Sequence, residues 1–264
     1  MSQAQGKSQN SLFQGFGALI ERQVEDWYKS PLLFALTLAQ PVIWIALYGE
    51  AFPLTSVPGI SSSYFSFLSV GMLGFVVLFA SVYSGMAIVF DRQSGFLKKM
   101  VVTSVSRSSI IMSYVMSTLS KALVQVAILL VAAIFLGMQT SHLTVLGLFG
   151  AFVAEALLAV GLSAFFTAVG ILSADPNVQL GIMSFISLPL LFASNSLFPT
   201  SSMPIWLQYV AKLNPLSYAS DAVRQMLLSS AGMISLPMDF LILTVFAVVF
   251  SSVSVTLSLR LLSK

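Results

Sequence analysis

The chain of 264 residues contains no cysteine. Disulfides, thiolate metal sites and cysteine nucleophiles are therefore excluded, and the redox compartment leaves no trace in the sequence. Charge is almost as scarce: Asp, Glu, Lys and Arg make up 8% of the residues, against roughly a quarter in a soluble domain. The single histidine, His142, has no companions at metal-ligand spacing, so no metal site is expected. A cleaved leader is not expected, because a polar stretch with Glu21, Glu25 and Asp26 precedes the first apolar run. Gly6-Lys7-Ser8 looks like the end of a phosphate-binding loop, but Met1 stands where that motif needs its first glycine and no strand precedes it. With no other nucleotide motif, the chain is not expected to hydrolyse ATP by itself.

What the sequence has in quantity is hydrocarbon. Hydrophobic residues make up 57% of it, and the mean hydropathy is +0.95. The expected fold class is an all-α polytopic membrane protein, a single transmembrane domain over residues 1–264 with no nucleotide-binding domain. Six stretches approach the roughly 20 residues that cross about 30 Å of hydrocarbon: 32–52, 64–90, 110–138, 143–173, 177–198 and 238–262, together a bundle over 32–262. The second, third and fourth are long enough to tilt or to project beyond the bilayer. Pro41 and Pro189 fall inside spans, where a neighbour or a water must satisfy the freed carbonyl. Ser81 and Gly85, and Gly170 and Ala174, are small residues that permit close helix contact.

Ahead of the spans, residues 1–10 read as a polar tail. Residues 11–29 read as a helix lying on the membrane surface, with Leu12, Phe16, Leu19, Ile20 and Trp27 on one face and Gln14, Glu21, Arg22, Glu25 and Lys29 on the other. The distribution of Lys and Arg sets the orientation. With both termini in the cytoplasm, Lys7, Arg22, Lys29, Arg92, Lys98, Lys99, Arg107, Arg260 and Lys264 lie inside, and only Lys212 and Arg224 lie outside.

The stretch from Asp91 to Arg107 is the most basic short segment, set between an uncharged run from Ala51 to Phe90 and a run from Ser108 to Ala154 whose one ionised residue is Lys121. Phe96, Leu97, Met100 and Val101 recur at helical spacing among Arg92, Lys98 and Lys99. That pattern predicts a short cytoplasmic amphipathic helix for a soluble partner to grip, with a plain retention loop as the alternative. Residues 199–237 are too patterned for a connector. Ile205, Trp206, Tyr209, Val210 and Leu213 predict one short helix, and a second amphipathic run extends from Leu216 to Leu228, so two helices dipping into the outer leaflet are expected.

Ionisable residues within spans point to chemistry in lipid. Lys121 is close enough to the inner end of span three to snorkel, and Glu50 is near enough to the outer end of span one to reach water. Glu155 is the deepest, read either as a protonated, hydrogen-bonded structural group or as a group handling substrate or protons. Asp175 is placed to cap the fifth span.

Two separated stretches carry a family resemblance. Asp91-Arg92-Gln93-Ser94-Gly95-Phe96-Leu97-Lys98-Lys99-Met100 followed by Thr103-Ser104-Val105-Ser106-Arg107 resembles the cytoplasmic loop of ABC type-2 transporter permeases. Phe198-Pro199, Pro204, Trp206 and Leu213-Asn214-Pro215-Leu216-Ser217-Tyr218, with Asp221, Ala222 and Arg224, is similar to that family's outer loop before the last span. The family includes drug, polysaccharide and lipo-oligosaccharide permeases, among them the daunorubicin-resistance type. Phe96, Lys98 and Ser104 depart from its usual Thr, acidic residue and Pro, which makes the loop more basic.

The resemblance implies a coupling helix at about 92–101, with Arg92, Gly95, Phe96, Leu97, Lys98 and Lys99 as its ATPase-coupling residues, and a connecting helix at 11–29. It implies the motif positions Pro199, Pro204, Trp206, Asn214, Pro215, Tyr218, Asp221 and Arg224 in the outer loop. It further implies a homodimer or heterodimer of permeases in the plasma membrane, bound to two ABC ATPase subunits that carry the ATP and Mg. No cofactor is then needed in this chain, and its partners are those subunits, the second permease and the bilayer, with no nucleic acid. The expected function is ATP-driven export of a drug, lipid or glycan-like substrate, without enzymatic activity in the chain itself. The rival classes are an ion-gradient-driven secondary transporter or channel, which needs paired intramembrane charges or internal repeats, and a membrane-assembly subunit.

Overall fold

The computed structural model describes residues 16–25, 27, 29–51, 63–102, 106–139, 142–173, 175–230 and 232–261. The P-loop-like Gly6-Lys7-Ser8, the polar tail, Thr103 to Val105, and Lys264 lie outside these residues. Among the described residues the chain is helical throughout, without strands. The helices are α1 (16–25), α2 (Pro31–Ala51), α3 (Tyr64–Gln93), α4 (Phe96–Val102), α5 (Arg107–Phe135), α6 (Val145–Leu172), α7 (Pro176–Phe192), α8 (Ile205–Leu213), α9 (Pro215–Leu228) and α10 (Leu236–Leu261). A single 3₁₀ turn, Thr200–Ser202, precedes α8.

Four of these helices, α3, α5, α6 and α10, are long and apolar enough to cross a bilayer, and α2 and α7 contribute shorter apolar stretches, Phe34–Leu47 and Pro176–Phe192. The chain is a multi-pass membrane protein. α3 is the most enclosed of the four long helices and α10 the least. α3 runs through the centre, packed against α2, α5, α6, α7 and α9, while α10 lies along α6 and α9.

Lipid tails are as apolar as a leucine side chain, so helices associate in a membrane through close packing more than through the hydrophobic effect. The α3–α6 crossing shows how. A Cβ on Gly85 would lie 2.4 Å from the Phe166 carbonyl, and one on Gly170 would lie 2.5 Å from the Gly85 carbonyl. Gly85 and Gly170, two of the four small residues expected to permit close helix contact, therefore meet there, and Ala174 lies outside the described residues. The start of α7 also forms as its sequence requires: Pro176 takes the first turn, where its missing N–H costs nothing, and the Asp175 carboxylate accepts from the Asn177 N–H at 2.8 Å.

The helix ends sort into two groups. One end of the bundle carries α1, the C-terminus of α3, α4 and the N-terminus of α5, and with them Arg22, Arg92, Lys98, Lys99 and Arg107; we call it the basic end. The far end carries α8, α9 and the N-terminus of α10. The two short helices expected there both form, but they differ in surroundings. α8 displays Ile205, Trp206, Tyr209 and Leu213, all well exposed. α9 is not a surface helix: nearly its whole length is buried among α3, α6 and α10. Its amphipathic pattern arises because its polar side chains bond to protein, not to water.

Candidate functional site

At the basic end, α3 runs on as helix to Gln93, so Arg92 belongs to α3 and the short helix starts later than the resemblance implied. The break lies at Ser94 and Gly95. Gly95 has φ +73°, a left-handed conformation that glycine adopts without strain. It turns the chain so that α4 folds back on the bundle.

The inner face of α4 is already occupied. Leu97 and Met100 are buried in a cluster with Ile88, Val89, Ile110 and Tyr114, and Phe96 packs on its edge. Lys98 and Lys99 are exposed. A partner approaching α4 therefore meets the two lysines, while Leu97 anchors the helix to its own chain.

Asp91 joins three helices here, and Arg22 brings in a fourth. Arg22 of α1 donates to its carboxylate at 2.6 Å, and the Tyr114 hydroxyl of α5 donates to the same oxygen. The Arg22 guanidinium also lies 3.9 Å above the centre of the Phe96 ring in α4, a cation–π contact. Arg92, one residue on, donates to the Ile171 carbonyl at the end of α6 at 3.1 Å. The described basic end is thus tied through Asp91, Arg22 and Arg92 into one unit. Sequence reasoning missed Asp91, Arg22 and Tyr114 as partners, although one signal was present: a lone carboxylate at the head of a basic segment.

At the far end, Arg224 of α9 is sealed from solvent. It donates to the Asn195 carbonyl at 2.6 Å, the Ser196 carbonyl at 2.9 Å and the Phe67 carbonyl at 3.1 Å, and it stacks 3.4 Å from the Phe67 ring. Burial pushes its pKa down to about 9, opposed by Asp221, so it keeps its charge at neutral pH. Ser196 reaches this position only because residue 71 is glycine: a Cβ there would lie 1.9 Å from the Ser196 carbonyl.

The neighbouring motif residues complete the clamp. Asn214 caps α9 by accepting from the Leu216 N–H, and its amide donates to the Leu190 and Ala193 carbonyls at 2.6 and 3.0 Å, covering the frayed end of α7. Pro215 opens α9, and the Tyr218 hydroxyl donates to the Lys212 carbonyl. Asp221 accepts from the Met233 N–H at 2.7 Å and from Gln225, which also donates to Asp239 at 2.8 Å. Gln225 escaped the sequence reading, although it lies one turn beyond Asp221 on the same face. Pro199 and Pro204 start the 3₁₀ turn and α8, and Trp206 is 67% exposed, outside the clamp.

The three intramembrane candidates are not brought together. Glu50 lies in the last turn of α2, and its side chain is outside the described residues. Glu155 is fully buried in α6, and neither carboxylate oxygen has a hydrogen-bond partner among the described residues. Lys121 stands fourteen residues beyond Arg107, about 21 Å along α5. It lines a cavity of about 620 Å³ between α1, α2, α3 and α5, whose lining also takes in Arg22 and Asp91 of the basic end.

The model of the ABC-2 type transporter family matches residues 14–228. The chain belongs to the ABC-2 type transporter family. The match takes in both the Asp91 junction and the Arg224 clamp. A protein named as a transport permease, ycf38, from Pyropia yezoensis is 33% identical over 219 residues, 81% of this chain and 74% of its own length. Its counterpart from Porphyra purpurea is 31% identical over 216 residues, with the same coverage. The daunorubicin resistance ABC transporter permease protein DrrB1 of Streptomyces coeruleorubidus is similar over a shorter stretch, 34% over 65 residues, 25% of this chain and 23% of its own. The resemblance to ABC type-2 permeases seen in two motifs thus extends over most of this ABC-2 chain.

Proposed function

We propose that this chain is the transmembrane permease subunit of an ATP-driven exporter in the plasma membrane, with its basic end in the cytoplasm and α2 and α7 completing six spans. Two permease copies act with two separate ATPase subunits, which hold the ATP and Mg. The observation that carries this reading is the setting of α4. It is a short helix with two exposed lysines outside and a fully packed inner face, joined through Phe96, Arg22 and Asp91 to α1, α3 and α5. A push on Lys98 and Lys99 therefore reaches several helices at once. Such a lever suits rigid-body movement driven by closure of ATPase domains. The family membership supports the same reading.

The packing also changes which substitutions test the coupling. Removing Leu97 would loosen α4 from its own chain, so the informative change lies on the lysines. The double variant Lys98→Glu, Lys99→Glu is expected to insert and fold normally. It should lower permease-stimulated ATP hydrolysis about tenfold at low salt, because reversed charges slow association and oppose docking. Co-purification of the ATPase and stimulated hydrolysis are measured in parallel; wild-type values for both would refute the coupling role. Orientation is checked separately in this cysteine-free chain with Lys98→Cys and Lys212→Cys and an impermeant thiol reagent. Only position 212 should label from outside.

A further inference from the structure

The cavity between α1, α2, α3 and α5 is lined by side chains of two kinds. One kind is aromatic: Trp27, just beyond α1, and Phe75, Phe79 and Tyr83 of α3. The other is polar and uncharged: Gln23 of α1, Thr37 and Gln40 of α2, and Thr118 and Gln125 of α5. Two of the amides are held at one atom and open at the other. Gln23 accepts from the Ser117 hydroxyl at 2.6 Å, and its Nε2 has no partner among the described residues. Gln125 donates to Thr37 Oγ1 at 2.8 Å, and its Oε1 has none. Both residues are more than nine-tenths buried. An unpaired amide atom in such a place is unfavourable, so a bound molecule that completes the bonding is favoured there.

Among the charged groups of the lining, Arg22 and Asp91 pair with each other at 2.6 Å, and Lys121 is not without a partner. Arg22 keeps one unpaired N–H, at Nε. What the described lining offers a ligand is therefore hydrogen-bonding capacity, two donors and an acceptor, beside aromatic rings. A hydroxyl or an amide donates and accepts at once and brings no charge to bury, so it matches that capacity. Leu36, Tyr83 and Phe90 also line the cavity and are each more than half exposed, so it is open at its side. Its volume of about 620 Å³ lies within the range of small-molecule sites, roughly 300–1,000 Å³.

We propose that this cavity is a binding site for an amphiphile with an uncharged hydroxyl or amide head. The apolar body lies against Trp27, Phe75 and Phe79, and the head meets Gln23 and Gln125. A resident neutral lipid and an exported cargo share that chemistry. The proposal rests on the exporter reading only where the ligand is cargo; binding by the chain does not depend on it.

Trp27 serves as the donor for energy transfer to a pyrene probe. In the full chain carrying Trp44→Phe and Trp206→Phe it is the one tryptophan left, and 1-pyrenebutanol in detergent should quench it saturably. 1-Butylpyrene, which lacks the hydroxyl, should need about tenfold more. Gln23→Leu and Gln125→Leu together should bring the two probes to equal affinity, whereas Phe75→Ala should weaken both alike. Because the alcohol and the alkane are compared on one preparation, a general loss of folded protein leaves their ratio unchanged. Stimulation of partner ATP hydrolysis by 1-pyrenebutanol marks the ligand as cargo. A neutral lipid that co-purifies with the wild-type chain and is lost from the double glutamine variant marks it as resident; either result upholds the site. Equal affinities in the wild-type chain, a preference that survives the double variant, or tighter binding of 1-pyrenebutyrate than of the alcohol overturns the proposal. So does transfer that never saturates, as when water alone or a second copy of the chain fills the cavity.

Discussion

Both ends of the molecule place an arginine over a phenylalanine, and the two pairs have opposite surroundings. At the basic end Arg22 lies over Phe96 and pairs with the Asp91 carboxylate, with 32% and 16% of the two charged side chains exposed. At the far end Arg224 lies over Phe67 and bonds to three backbone carbonyls, with 2% of the residue exposed. The difference is one of mechanical role. A partly exposed ion pair contributes about 1 kcal/mol or less and can open and re-form. A sealed guanidinium bonded to carbonyls cannot leave without stranding each of them. The basic end is built to move as a unit and to let go, and the far end is built to hold α3, α9 and the 193–198 turn in one arrangement.

The largest expected effect comes from breaking the far-end member. Arg224→Met removes the donors to the Phe67, Asn195 and Ser196 carbonyls and should cost on the order of 3–5 kcal/mol. Asp91→Asn at the other end should cost about 1 kcal/mol or less. In thermal melts of the purified chain the first should lower the midpoint by about 10 °C and the second by a few degrees at most. Equal shifts would erase the distinction between clamp and lever.

A pair of glycines sharpens the same contrast at smaller scale. Gly71→Ala puts a methyl group 1.9 Å from the Ser196 carbonyl, where backbone must shift. It should reproduce much of the Arg224→Met loss, because it pushes the same turn off α3. Gly95→Ala meets open space, and its penalty is the positive φ alone, about 1 kcal/mol. The expected result is faster hydrogen exchange in α4 with the melting midpoint nearly unchanged, and a protein that fails to fold would contradict it.

The smallest effect is ionic. Raising salt from about 0.05 to 0.5 M shortens the screening length several-fold and should weaken the Arg22–Asp91 pair by a few tenths of a kcal/mol. Hydrogen exchange should rise in α1 and α4 and stay constant in α9, where Arg224 is shielded from ions.

The sequence alone determined the all-helical membrane class, the long spans, the basic loop and the two helices of the far loop, because each rests on local properties: apolar run length, 3.6-residue periodicity, and Pro, Gly and Asn at breaks. It also marked Asn214, Pro215, Tyr218, Asp221 and Arg224 by resemblance, without saying what they touch. Only the tertiary structure decided the partners. Asp91 meets Arg22 across 69 residues and Arg224 meets Phe67 across 157, and no periodicity encodes contacts at such separations. It also decided direction. Leu97 and Lys98 are adjacent in a helix too short for a clear stripe, and packing against Ile110 and Tyr114 sends the first inward and leaves the second exposed. The burial of α9 was illegible for a related reason: a polar face that bonds to backbone carbonyls has the same composition as one that bonds to water, and only the surrounding helices distinguish them.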